Sequence, residues 1–271
     1  MTPIEDHKHL VPAPMVAQGP LRSTPWSWLI LGWRDLRQHP FNGAFYGMAF
    51  WVMAQMLSLV FHHKPEYTLS MVSGCLLVGP FLAMGLYDVS RRHEQGLTQD
   101  FGSSLTCWSA HIKSMAMLVL VLLVLELLWG RASLVIFAVF FNTGLPSTTR
   151  VIDVVFSAGH LDFLLIYGAV GAGFALLVYA FTVVSIPMIL DRDTDAISAS
   201  ITSLGVFTGR WPLMLCWGIV LSGAVIIAFL SPWLLGLVVI GPWLGHASWH
   251  AYRGTVPEPA IEGMTTDRSS G

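Results

Sequence analysis

Charge is what this sequence has least of. Only 11% of its 271 residues are Asp, Glu, Lys or Arg, against 54% hydrophobic, whereas about a quarter of the residues are charged in water-soluble globular domains. Such a chain belongs in a bilayer. The formal net charge of −2 excludes nucleic acid as a partner, because binding through phosphates needs a basic surface that 14 scattered Lys and Arg do not supply. Cysteine is scarce as well. Cys75, Cys107 and Cys216 are odd in number, widely spaced and set in or beside apolar runs, which excludes a disulfide framework or zinc pattern and leaves small packing residues. No Gly-rich phosphate loop, Ser/His/Asp set or Cys/His set is legible, and no cofactor is implied. The alternation of an outer-membrane barrel is missing too. Residues 1–23 have no apolar h-region, so they are expected to be a mobile tail rather than a cleavable signal; a second mobile tail is expected over 254–271.

What is present is a series of long apolar runs. About 20 apolar residues cross ~30 Å of hydrocarbon, and the runs at about 41–61, 69–89, 114–130, 161–190, 213–230 and 233–252 predict six transmembrane helices. The stretch 130–159 is open between a re-entrant segment, an interfacial one and a loop. Each pair of spans follows a shorter amphipathic segment. Thr24-Pro25 starts the first, with Trp26, Leu29, Ile30, Trp33 and Leu36 on one face and Arg34, Asp35 and Arg37 opposite. It reads as an interfacial helix with its tryptophans at headgroup level. The second is expected over Gln95–His111, and the third after a Thr194 cap, with Ile197, Ile201, Leu204 and Phe207 in register. The expected fold is therefore an all-α membrane protein of three hairpins, residues 24–253, each hairpin preceded by an interfacial helix.

The repeat is written in residues as well. Gly79-Pro80-Phe81-Leu82 and Gly241-Pro242-Trp243-Leu244 open matching stretches that carry an aromatic eight residues on (Tyr87, Trp249) and an arginine twelve on (Arg91, Arg253), and Ile186-Pro187 stands in the degenerate middle copy. Lys8, Arg22, Arg34, Arg37, Arg91, Arg92, Lys113, Arg192, Arg210, Arg253 and Arg268 share one side, leaving Lys64, Arg131 and Arg150 on the other. The positive-inside rule then places both termini in the cytoplasm and the spans in a bacterial inner membrane.

Four features bear on chemistry. A proline within a span frees the carbonyl four residues earlier, so kinks are expected at Pro80, Pro187 and Pro242; these either shape the bundle or open a ligand cavity near the cytoplasmic side. His246 and His250 share a helix face at the spacing of paired metal or haem ligands, against a plainer role in packing and interfacial hydrogen bonding. With them, Asp88 and Arg91 form the candidate ligand-binding set, the ordinary alternative for Asp88 being an ion pair with Arg91 and Arg92. Glu126 is the one acid well inside a span; it groups with His62, His63, Glu66, His160 and Asp162 as a cation-binding cluster or a solvated outer rim. Asp191, Asp193 and Asp195 open like a calcium loop, but Ala196 and Thr202 occupy its glycine and glutamate positions, which leaves helix capping. The pairs Gly43/Gly47, Gly79/Ala83 and Gly241/Gly245 suit close helix contact, within the chain or with another protein.

Several of these stretches also resemble a known family: Gly32-Trp33-Arg34-Asp35-Leu36 with His39-Pro40; Gly79-Pro80-Phe81-Leu82-Ala83 with Gly85-Leu86-Tyr87 and Ser90-Arg91-Arg92, then Glu94 and Gly96; and Ile186-Pro187-Met188 with Asp191-Arg192 and Asp195. They are similar to predicted integral membrane proteins of proteobacteria catalogued as a domain of unknown function, over about Trp26 to Arg253. The resemblance implies membrane placement and fold and brings no activity. Some members are labelled as respiratory-oxidase-related, but this chain lacks the several in-membrane histidines of a haem-copper catalytic subunit. The expected function is a non-enzymatic scaffold or accessory subunit of a membrane complex, in contact with lipids and another membrane protein. The alternatives are a carrier for a small or lipid-like ligand, and metal or haem binding.

Overall fold

The computed structural model describes residues 24–64, 67–98, 100–141 and 161–256, and every regular element among them is helical. Both expected tails, apart from Gly254 to Val256, and most of the ambiguous 130–159 stretch lie outside the described residues. Helix α1 is Pro25–Gln38, α2 Pro40–His63 and α3 Thr68–Glu94. A short α4, Phe101–Thr106, leads through a 3-10 turn into α5, Ile112–Phe140; α6 is Leu161–Thr182 and α7 Ser185–Arg192. Helices α8, Ala196–Gly209, α9, Trp211–Leu230, and α10, Gly236–Thr255, complete the order.

Among the described residues, five stretches are helical, long and apolar enough to cross a membrane: Pro40–His63, Met71–Glu94, Phe101–Phe140, Leu161–Arg192 and Trp211–Leu230. The sixth expected span corresponds to α10, which is 20 residues long but carries His246, Ser248, His250 and Arg253. It is less apolar because protein covers it. α10 packs on α1, α2, α3 and α9, and Leu237, Leu244, His246, Ala247, Trp249 and Tyr252 are all buried. The third expected span runs longer than 114–130, since Ala132 to Phe140 simply continue α5. The second amphipathic segment is shorter than expected and starts at the Asp100 cap, which accepts from the backbone N–H of Gly102 and Ser103.

Capping chemistry fixes the starts of the short helices. Thr24 is extended and accepts from the Ser27 N–H, with Pro25 in the first turn, where its missing N–H costs nothing. For α8 the cap is Asp195 rather than Thr194: its carboxylate accepts from the N–H groups of Ile197 and Ser198, both at 3.0 Å, and these bonds hold it below the usual carboxylate pKa.

Of the three prolines, Pro80 and Pro242 lie inside helices that continue through them. Pro187 is different. It sits in the first turn of α7 after a break at Val183-Val184, where its ring no longer meets an intact preceding turn. The severed backbone bond would have joined the Val184 N–H to the Ala180 carbonyl. The hydroxyl of Ser203, fully buried on α8, stands in for it, accepting from Val184 N at 3.2 Å and donating to Ala180 O at 2.7 Å. Ser203→Ala strands both groups in an apolar interior, and the expected loss is about 1–3 kcal/mol, measurable as a lower unfolding midpoint in detergent.

Helix contacts are close where glycine permits. A Cβ on Gly32 would lie 2.5 Å from the backbone nitrogen of Ala247, and one on Gly47 2.0 Å from the carbonyl oxygen of Val238, so α1 and α2 lie flush on α10. Gly241 meets Phe50 and Gly245 meets Leu86, whereas Gly79 faces open space. These small-residue positions on α2 and α10 thus serve packing within the chain.

Candidate functional site

Two features meet along α3 and α10: a buried polar node and an apolar cleft. The node starts from Asp35 on α1. It is 3% exposed, because the buried face of that helix is Trp28, Gly32 and Asp35, whereas Trp26 and Ile30 of the apolar face point outward. Oδ2 of Asp35 accepts from Ser90 Oγ at 2.7 Å and contacts His250 Nε2 at 2.8 Å. Ser90 Oγ also lies 2.7 Å from His246 Nδ1, and His93 Nε2 stands 4.0 Å from Asp35 Oδ1. A serine has one proton to give, and the carboxylate is the stronger acceptor, so Ser90 donates to Asp35 and accepts from His246 Nδ1–H. That fixes the His246 tautomer. Its Nε2, in a ring with no exposure, has no partner among the described residues.

The electrostatics follow from burial and bonding. Burial alone pushes the Asp35 carboxyl up, but the hydrogen bond and charge of His250, with the Ser90 bond, outweigh it and hold the group below its ordinary 3.8. His39 at the α1–α2 corner is lowered as well, but by the opposite balance of causes: burial itself, with His93 beside it at 5.2 Å between ring centroids, disfavours the imidazolium and brings it below 6.5. Sequence inspection finds no Ser/His/Asp set, yet the fold assembles one from Asp35, Ser90 and His246. It is not a nucleophile's arrangement, since Ser90 stands between acid and imidazole and is fully buried.

Asp88 and Arg91 fall in a different network from the two histidines. Asp88, 1% exposed, takes Arg91 on Oδ1 at 2.8 Å and Arg92 on Oδ2 at 2.9 Å, and Arg91 also donates to the Leu190 carbonyl of α7 at 2.9 Å. Asp191 accepts from the Tyr252 hydroxyl at 2.7 Å and pairs with Arg253, which also meets Glu94. The three repeated proline stretches therefore converge where α3, α7 and α10 end. The ion pair foreseen for Asp88 is what forms.

Beside the node lies a cleft of about 450 Å³ between α2, α3, α9 and α10. Phe50, Leu57, Leu86, Val225, Phe229 and Leu244 give it apolar walls, and Tyr87, Ser248 and Cys75 are the lining residues whose side chains carry a hydroxyl or thiol. Ala83 and Leu86 follow Pro80 on α3, and Gly241 and Leu244 flank Pro242 on α10, but Pro187 has no part in it. Asp88, Arg91, His246 and His250 do not line it either.

The remaining expected sites are dispersed. His62, His63 and Asp162 are exposed, Glu66 and His160 lie outside the described residues, and Glu126 is buried between helices. Among the described residues no group of three or more His, Cys, Asp or Glu is placed to hold a metal ion. Asp193 contacts His111 at 3.0 Å. Asp35 is the buried member of the node that sequence reasoning missed, because its place beside Arg34 and Arg37 on the polar face of α1 suggested exposure.

No curated protein and no solved structure matches the chain. A family model does, over residues 68–191, the part that runs from α3 to α7 and contains Asp88, Ser90 and Glu126. That segment, a little under half of the chain, matches the model of the family described as "Predicted integral membrane protein (DUF2189)", a domain of unknown function.

Proposed function

We propose that the protein is a six-span protein of a bacterial inner membrane that binds a single-chain, lipid-like ligand in the cleft between α2, α3, α9 and α10. The observation that carries this is the cleft itself: about 450 Å³, within the range of small-molecule sites, with a predominantly apolar lining in which Tyr87, Ser248 and Cys75 bear the hydroxyl and thiol groups. On this reading α10 is the sixth crossing. It follows α9 after a tight turn and packs against it, and its 20 residues at 1.5 Å each reach about 30 Å. Both termini then share the cytoplasmic side with the arginines of α3 and α10.

Val225 is partly exposed at the cleft mouth, so Val225→Trp fills the space without disturbing the core. Native mass spectrometry of the delipidated protein with an added lysophospholipid should show one retained acyl chain in the parent and at least tenfold less in the variant, at equal thermal stability. Equal retention in both proteins would remove the cleft from the account. The scaffold reading draws on the apolar exterior, with Leu230, Trp233 and Ile219 among the most exposed side chains, but lipid covers such a surface equally well. A partner that co-purifies in mild detergent would be its support.

A further inference from the structure

Glu126 poses a problem that neither the node nor the cleft above resolves. It stands on α5, 7% exposed, and its partner is Ser73 of α3: Ser73 Oγ donates to Oε2 at 2.6 Å. The other oxygen, Oε1, is buried with no partner among the described residues. Half of a carboxylate is thus satisfied and half is not, in a stretch of chain where removing charge from water is costly. Glu126 also lines a second cleft, of about 310 Å³, between α3, α5 and α6. Its other walls are apolar or aromatic, including Leu122, Trp129, Phe174 and Val178. Gly171 lets the Trp129 ring approach α6, its absent Cβ being 3.0 Å from the ring edge.

We infer that this second cleft is a binding site for a hydrophobic organic monocation, an amine or quaternary ammonium whose charge is met by Glu126 and whose substituents lie against Trp129 and Phe174. The chemistry selects that class. A hard metal ion needs about six oxygens, and one carboxylate beside one hydroxyl does not provide them. An organic cation needs a single counter-charge, gains from aromatic faces and brings its own apolar surface to an apolar wall. A neutral apolar ligand would leave Oε1 as it is. A free ammonium and one borne by a lipid headgroup such as phosphatidylethanolamine share this chemistry of recognition.

Equilibrium dialysis of radiolabelled benzyltrimethylammonium against the purified full chain, corrected for empty micelles, reads this directly. The expected result is saturable binding that falls at least tenfold in Glu126→Gln, which keeps the shape and Ser73's partner but loses the charge. Trp129→Leu should weaken it by a smaller factor. Ala175→Phe, placed on the exposed side of the cleft, fills the space without touching the carboxylate and should also abolish binding, so a folding defect in Glu126→Gln does not decide the matter. In nanodiscs, a rise in apparent Kd on adding phosphatidylethanolamine to phosphatidylglycerol assigns the ammonium to lipid, and an unchanged Kd assigns it to a free cation. No saturable binding in the parent, or binding within twofold of the parent in both Glu126→Gln and Ala175→Phe, overturns the assignment.

Discussion

Gly47→Ala should lower stability by about 3 kcal/mol, near the top of the range for forcing a methyl into a packed interior. The reason is backbone. An alanine Cβ would lie 2.0 Å from the carbonyl oxygen of Val238 and 2.8 Å from its carbon, and a main-chain carbonyl in a buried helix cannot swing aside as a side chain can. Val238 is also the residue whose carbonyl the nitrogen at 242 would normally bond, and Pro242 has no N–H to offer. The Gly47 backbone, lying directly against that oxygen, gives it a Cα–H contact in place of the lost bond, worth about 0.5–1 kcal/mol. Thermal unfolding in detergent checks this, with Gly79→Ala as the control. Open space surrounds Gly79, and the same added methyl should leave stability unchanged or slightly improved there through helix propensity. Equal midpoints for the two variants would show that α2 and α10 are not in contact at this point.

Asp35→Ala is expected to cost about 3–5 kcal/mol, the range for breaking a buried charge-bearing pair by removing one partner. Ser90 and His250 both lose their acceptor, and the chain of bonds back to His246 loses its terminus. Asp35→Asn keeps the shape, loses only the charge and should cost less. The node also makes stability depend on pH with a definite sign. His39 is lowered below 6.5, so the folded state holds fewer protons than the unfolded one; its contribution is complete above 6.5 and is lost as pH falls below it. Asp35 is lowered below 3.8, and its contribution is complete above that value and is lost as pH falls through the folded pKa. Both act in one direction. The unfolding midpoint should decline from about pH 6.5 downward, and His39→Gln should flatten the first part of that decline. A midpoint that rises on mild acidification would contradict the burial of His39.

The helices were readable because lipid imposes runs of apolar residues that no soluble fold requires, and Thr24-Pro25 and the apolar register of Ala196–Gly209 marked short helices at close to their observed bounds. What the sequence concealed was orientation. In water, the charged side of α1 would face solvent and Trp26 and Ile30 the core; here Trp26 and Ile30 are exposed and Asp35 is inside, because the surroundings of the helix are partly hydrocarbon and its protein neighbour α10 offers histidines. Amphipathic patterning gives the axis of asymmetry but not which side is covered by protein. The node was hidden for a second reason: Asp35, Ser90 and His246 are separated by 55 and 156 residues, and no local spacing joins them. Pro187 was legible as a feature of its helix, but not the hydroxyl of Ser203 that completes the break, since nothing near residue 203 announces a partner at 184.

The modest hydropathy of α10 has a consequence for how the chain is made. A helix bearing two histidines, a serine and an arginine has little reason of its own to leave an aqueous channel for hydrocarbon, since such residues oppose partitioning into lipid. Its place at the end of the order means that α1, α2, α3 and α9 are all synthesised before it. On the six-span reading proposed above, α10 enters a slot that these earlier helices have already lined with Asp35 and Ser90, and its polar face need not meet an acyl chain. Biogenesis and the buried node are, on this view, the same requirement seen at two times.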